Sequence, residues 1–232
     1  MEPNTELSPE PSARSADERM ADLAVFADGL VHDLRNPLNV IRTNVYLLRQ
    51  RLSVEDNRAI RAVDRIDDQV SAAMRLLDGV QAFYRADRPN LQRLNVNEAL
   101  RSATEGLPVP DGVELNVDAA EELPLVSADP QLLEAALRAL IRNAVEATAA
   151  AGAIRLASRA VDNGVQLVVE DSGPGFGDVA SEDAFEPFFT SRRAQAGLGL
   201  ALVEKVARAH GGRSWIESGP PTRIIIEIPS SE

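Results

Sequence analysis

His32, Asp33, Asn36 and Pro37 form the tightest group of chemically capable residues in the chain. A neutral imidazole is a nucleophile near pH 7, and a neighbouring carboxylate can orient it or take its proton. Asn36 lies at i+4, on the same helical face as His32. Pro37 lacks an N–H and crowds the carbonyl of Asp33, so a bend is expected just beyond the cluster. A lone His is more often an ordinary surface or core residue. An interior Pro costs a helix about 3 kcal/mol, and accepting that cost beside a His–carboxylate–amide group favours a functional site. Three other groups stand out. Asp171-Ser172-Gly173-Pro174-Gly175-Phe176 follows an expected strand, where glycines let backbone approach a ligand and the Asp can accept from an exocyclic amine. Gly197-Leu198-Gly199-Leu200 opens an expected helix, offering free N–H groups and a positive dipole end to a phosphate. Asn143 flanks the apolar face of a third helix and can reach a cation or phosphate. Taken singly, each has a plainer reading: a turn, a close helix packing, a boundary Asn.

Periodicity supplies the elements that must position these groups. Residues 1–19 are rich in Pro, Ser and Glu without a repeat, and read as a disordered tail. From Met20, Leu23, Ala27, Leu30, Leu34, Leu38, Ile41, Val45, Leu48 and Leu52 recur at helical spacing. Val63, Ile66, Val70, Ala73, Leu77, Val80 and Tyr84 do the same. The polar turn between them offers Ser53 and Asp56 as a capping box. Residues 20–88 therefore read as an antiparallel helical hairpin with His32 off the apolar stripe. Its coiled-coil-like stripes exceed what one hairpin buries, which predicts a four-helix bundle in a homodimer. After a Pro-containing linker at residues 87–90, residues 91–232 mix strands and helices. Strands are expected at 113–117, 154–161, 165–170, 214–217 and 223–228, and helices after Asn95 or Asn97, after Asp129-Pro130 and at 198–210. Meander-like strand pairs argue for α+β over a parallel sheet.

Composition narrows the classes further. The 232 residues carry 36 Asp and Glu against 24 Lys and Arg, a net charge of −12 that repels nucleic acid and anionic lipid. Zero Cys excludes thiolate catalysis and Cys-ligated zinc, and two distant His argue against a His-rich metal centre. No apolar run approaches the roughly 20 residues that cross a bilayer, and the amino terminus lacks a signal-peptide apolar region. A soluble, cytoplasmic protein is expected, with no nucleic-acid partner and no membrane insertion.

Taken in order, His32-Asp-Leu-Arg-Asn-Pro-Leu38, Asn143-Ala144, Asp171-x-Gly173-x-Gly175, Glu186-Pro-Phe-Phe-Thr190 and Gly197-x-Gly199 resemble the H, N, G1, F and G2 boxes of two-component sensor histidine kinases. The resemblance spans about Met20 to Pro229 and is most similar to the nitrogen-regulation-like branch. It implies a dimerisation and phosphotransfer hairpin followed by an α/β-sandwich ATP-binding domain of the Bergerat type. It further implies that His32 accepts the γ-phosphoryl of ATP and passes it to an aspartate on a response regulator receiver domain. Asp33 would be its acid–base partner, and Asn36 would position the water that dephosphorylates the regulator. Asn143 would bind Mg²⁺, Asp171 the adenine amine, Gly173 and Gly175 would shape the pocket, and Gly197 and Gly199 would serve the phosphates. Phe188, Phe189, Arg192 and Arg193 would belong to a lid.

Two departures from that pattern bear on activity. Ala139 stands where the family usually has a second Asn, one turn before Asn143, so a polar partner of the metal–phosphate region is missing. No sensory domain precedes His32, so input is expected from a partner, from the tail, or from a longer chain of which this is a piece. A phosphotransfer or phosphatase protein impaired in nucleotide binding, and a dimeric scaffold without activity, are the alternatives.

Overall fold

The computed structural model describes residues 16–53, 56–148, 151–177, 183–187, 189 and 197–231, with side chains from residue 29 onward. Helix α1 (Ala16–Arg51) runs unbroken through Pro37 and begins earlier than expected, so residues 16–19 are helical and not tail. Helix α2 (Asn57–Arg85) returns antiparallel to it. Ion pairs Arg35–Asp78 and Arg49–Asp64 tie the two helices at two levels. The helix start at the turn differs from the expected capping box. Asp56 itself is the N-cap, its carboxylate accepting from Ala59 N–H at 3.0 Å, while its own N–H donates to the Ser53 carbonyl at 3.0 Å.

Between the helices Val31, Val45, Val63 and Val70 are buried. Leu30, Leu34, Ile41 and Leu48, read from sequence as one stripe with Val45, and Ile66, read as one with Val63 and Val70, are exposed, while Val31, outside the expected stripe, is buried. The apolar surface is wider than a two-helix seam covers.

The second unit begins with β1 (Gln92–Leu94) and α3 (Val96–Thr104), which Asn95 caps. Strands β2 (Val113–Ala119) and β3 (Val126–Ala128) lead into α4 (Pro130–Thr148). A hairpin of β4 (Gly152–Val161) and β5 (Gly164–Asp171) follows, then α5 (Gly199–Ala209), β6 (Arg213–Glu217) and β7 (Thr222–Pro229). The main sheet has the order β2-β4-β5-β7-β6. It is antiparallel except for β2 and β4, which pair in parallel, so the sheet is mixed. A small antiparallel pair, β1–β3, was not expected; three-residue strands carry too few alternations to be seen in sequence.

Helices α3, α4 and α5 share their core with one sheet face, through Leu100, Leu133, Leu137, Leu140 and Val206 against Ile154, Leu156, Leu167, Ile224 and Ile226. The result is an α/β sandwich joined to a helical hairpin. The last turns of α2 enter the same core, with Ala82 and Ala86 buried in it.

Candidate active site

His32 stands on α1 with its side chain 73% exposed. Its Nδ1 lies 3.6 Å from Asp33 Oδ1, close enough for electrostatic orientation but too long for a hydrogen bond. Asn36 and Pro37 are exposed one turn on. The imidazole, the carboxylate and the amide are thus brought together, open to a partner.

Asp171 ends β5 and is only 5% exposed. Its Oδ1 accepts from Gly173 N–H at 2.9 Å. A Cβ on Gly173 would come within 2.7 Å of the Ala147 carbonyl oxygen, so glycine alone lets this loop lie against the end of α4. Gly175, at φ +75°, would place a Cβ 3.0 Å from the Thr222 hydroxyl. Thr222 is the residue that motif reading missed. It sits opposite Asp171 in the β5–β7 register, buried, donating to the Gly219 carbonyl at 3.1 Å. No local signal marks it; only strand pairing brings it there. Nearby, the buried Thr148 hydroxyl on the last turn of α4 has no hydrogen-bond partner among the described residues.

The other end of the candidate site is built by α4 and α5. Both polar atoms of the half-buried Asn143 amide lie 3.6 Å from where a Cβ on Gly199 would sit. Gly199 therefore leaves this amide uncovered at the start of α5. No side chain caps that start, so its first N–H groups and positive dipole end can serve an anion. Gly197, at φ +65°, makes the turn into it. Ala139 is buried, its methyl 4.0 Å from the same point on Gly199. Phe189 is exposed, whereas Phe188, Arg192 and Arg193 lie outside the described residues. Among the described residues no cluster of three or more His, Asp or Glu could hold a metal. The Asn143 amide oxygen is a hard donor of the kind Mg²⁺ accepts alongside substrate phosphates.

Asp129, the cap of α4, ties the two units. Burial opposes its ionisation, but N–H donors from Asn90 and Leu132 and the Arg85 guanidinium hold its carboxyl below the usual range.

An exposed His on a helical hairpin, joined to a sandwich with Asp171, Thr222 and two glycine turns at one end of its sheet, defines a phospho-acceptor module fused to a nucleotide-binding one. Residues 22–89 match the His Kinase A (phospho-acceptor) domain, and residues 128–232 the histidine kinase-, DNA gyrase B- and HSP90-like ATPase family. The chain belongs to the two-component sensor histidine kinases. It is 33% identical over 221 residues to the sensory histidine kinase/phosphatase NtrB of Rhodobacter capsulatus, covering 88% of this chain and 61% of NtrB. Full-length ShkA in complex with AMPPNP superposes with a TM-score of 0.66 at 29% identity, covering 91% of this chain and 45% of ShkA. Histidine kinase ThkA in complex with the response regulator protein TrrA gives 0.59 at 25% identity, covering 93% and 64%. The chain spans less than two thirds of the curated relatives that head its matches. No helix among the described residues is long and apolar enough to cross a membrane.

Proposed function

We propose that this chain transfers the γ-phosphoryl group of ATP to His32, passes it to an aspartate of a receiver domain, and dephosphorylates that domain. The observation that carries the reading is the division of labour: an open imidazole on the hairpin, and a buried Asp171 bonded to the Gly173 turn, with Asn143 and Gly199, on the sandwich. Asp33 faces Nδ1, which leaves Nε2 as the attacking nitrogen. The new N–P bond forms as the bond from the γ-phosphorus to the β,γ-bridging oxygen breaks; ADP leaves and Asp33 takes up or orients the ring proton. Asp171 and Thr222 hold the adenine, Gly173 and Gly175 admit it, and Gly197 and Gly199 present backbone N–H groups to the phosphates. Mg²⁺, held by Asn143 with the phosphates, would neutralise charge on the β- and γ-oxygens. Asn36, on the His32 face, places a water against the phospho-aspartate of the bound receiver domain.

The exposed Leu34, Ile41, Leu48 and Ile66 support a homodimer through the hairpin. An ATP substrate places the reaction in the cytoplasm. Ala139 favours a second reading, a slow kinase whose main output is phosphatase activity.

Incubation with γ-labelled ATP and Mg²⁺ is expected to give acid-labile, base-stable label in the wild type. His32→Gln should take up none while keeping its thermal melt and nucleotide affinity. Equal labelling of the two proteins would remove His32 from the phosphoacceptor role.

A further inference from the structure

Arg142 precedes Asn143 on α4, and the two side chains have different neighbours. The Asn143 amide lies beside the start of α5, 3.6 Å from where a Cβ on Gly199 would sit. One residue back is about 100° round the helix, which turns Arg142 away from that point. It is half-buried, and the charged groups around it are Arg75 and Asp78 on α2 and Arg138 and Glu146 on its own helix. Asp78 in turn accepts from Arg35 at 2.8 Å, and Arg35 follows His32 by three positions on α1. Arg142 thus stands on the hairpin side of Asn143, opposite the α2 turn that is tied to the His32 segment.

Its charge is poorly compensated. Among the described residues the Arg142 guanidinium makes no hydrogen bond or ion pair. Burial pushes its pKa down and Arg75 and Arg138 add to that push, while Glu146 and Asp78 oppose it. Arg138, one turn earlier, is by contrast fully engaged, donating to Glu134 at 2.8 Å and to the Ser102 carbonyl at 2.7 Å. Holding a half-buried cation between two others costs stability unless an anion joins it. A guanidinium presents a planar fork of donors that matches phosphate oxygens.

Position selects the phosphate. A phosphoryl group bound for an imidazole on the hairpin leaves the Asn143 region on the side of α4 that faces α2, and Arg142 is on that side. We propose that Arg142 is a further catalytic residue, which binds the γ-phosphoryl oxygens of ATP and carries their charge during transfer. The guanidinium keeps its protons throughout. It neutralises the equatorial oxygens as the bond to the β,γ-bridging oxygen breaks, ADP leaves and His32 Nε2 bonds the phosphorus. This assignment rests on the kinase reading and adds to it a cation supplied by the chain itself.

The test compares ATP with ADP, which differ by the γ-phosphoryl group alone. Arg142→Gln should weaken ATP binding about ten-fold in calorimetric titration and leave ADP binding unchanged. Its initial rate of His32 labelling at saturating ATP should fall roughly fifty-fold, the scale of one charge-assisted contact to a transferring phosphoryl group. Arg142→Lys keeps the charge without the fork and should recover part of each loss. The melt of Arg142→Gln should hold or rise, since a poorly compensated cation has gone. Equal weakening of ATP and ADP, or an unchanged labelling rate, overturns the assignment. So does a melt that falls in Arg142→Gln and returns in Arg142→Lys, the signature of a structural arginine. A wild type that binds ATP but takes up no label leaves the two affinities to decide the role of Arg142. A wild type that binds neither nucleotide sinks the kinase reading itself.

Discussion

On α1, Leu30, Leu34, Ile41 and Leu48 face solvent, whereas on α4, Leu132, Leu133, Leu137, Leu140 and Ile141 are sealed. Both helices carry apolar residues at three- and four-residue spacing. The difference lies in what each helix meets. Helix α4 lies between a sheet and two other helices, so all sides of its stripe find partners. Among the described residues α1 packs along α2, and Leu30, Leu34, Ile41 and Leu48 of its stripe stay exposed. The sandwich is thus complete within one chain, while the hairpin calls for a second copy. The chemistry divides in the same way. Asp171 is buried and bonded to the Gly173 turn, whereas the His32 imidazole is open to solvent.

The widest separation between the two regions should come from truncating their leucines and isoleucines. Leu137→Ala, in the filled core, should destabilise the sandwich by about 2–5 kcal/mol, seen as an early calorimetric transition with loss of nucleotide binding. Ile41→Ala, on the open stripe, should leave that transition in place and raise the dimer dissociation constant about ten-fold, roughly 1.4 kcal/mol, measured by sedimentation. A dimer unaffected by Ile41→Ala would break the contrast.

Next in size is Asp129→Asn, which discharges a buried carboxylate bonded to Arg85 and should cost about 2–3 kcal/mol. Its pH dependence sharpens the point. The folded-state pKa of Asp129 is depressed, so its contribution is present above the unfolded carboxylate value of about 3.9 and disappears as pH falls through the lower folded value. Urea melts of wild type and Asp129→Asn should therefore differ near neutrality and converge in acid. A constant gap down to the lowest pH would mean that capping geometry, and not charge, carries the effect.

Ala139→Asn comes third. Sequence reasoning treats this position as a missing polar partner, yet Ala139 is 2% exposed and packs toward Gly199. An amide there overfills the contact, at about 1–3 kcal/mol. The melt should fall and the labelling rate should not rise. A faster kinase with an unchanged melt would show room that the packing does not display. The smallest effect is expected at the open site. Asn36→Ala should slow regulator dephosphorylation about ten-fold, near 1.4 kcal/mol of barrier, while His32 labelling and the melt change little.

Much of this was readable from residue spacing. His32 falls off the apolar stripe because 100° per residue is a local rule, and α1 obeys it through Pro37. Asp129 announces its helix by type and position, whereas Asn95 and Asn97 are equal candidates in sequence and only the backbone makes Asn95 the cap. Asp56, and not Ser53, caps α2 because either residue has a suitable side chain and only backbone geometry chooses. Thr222 was invisible, since its place beside Asp171 depends on register between strands 51 residues apart. Lys205 pairs with Asp87 across 118 positions, and no pattern in either neighbourhood hints at the other. The split of the α1 stripe into covered and uncovered halves also escaped sequence, because it depends on how many helices are present.

The position of β7 in the sheet bears on how the chain is made. It lies between β5 and β6, so the central gap of the sheet is filled by residues 222–229. During synthesis the hairpin and the β4–β5 ribbon leave the ribosome well before that strand exists. Until it arrives, one edge of β5 is an unpaired row of N–H and C=O groups beside an apolar face, the kind of surface that pairs with other chains. Thr222 arrives on the same strand, so its pairing opposite Asp171 and the sheet are completed in one step. The hairpin that carries His32 is thus made long before the sheet that carries Asp171 is complete.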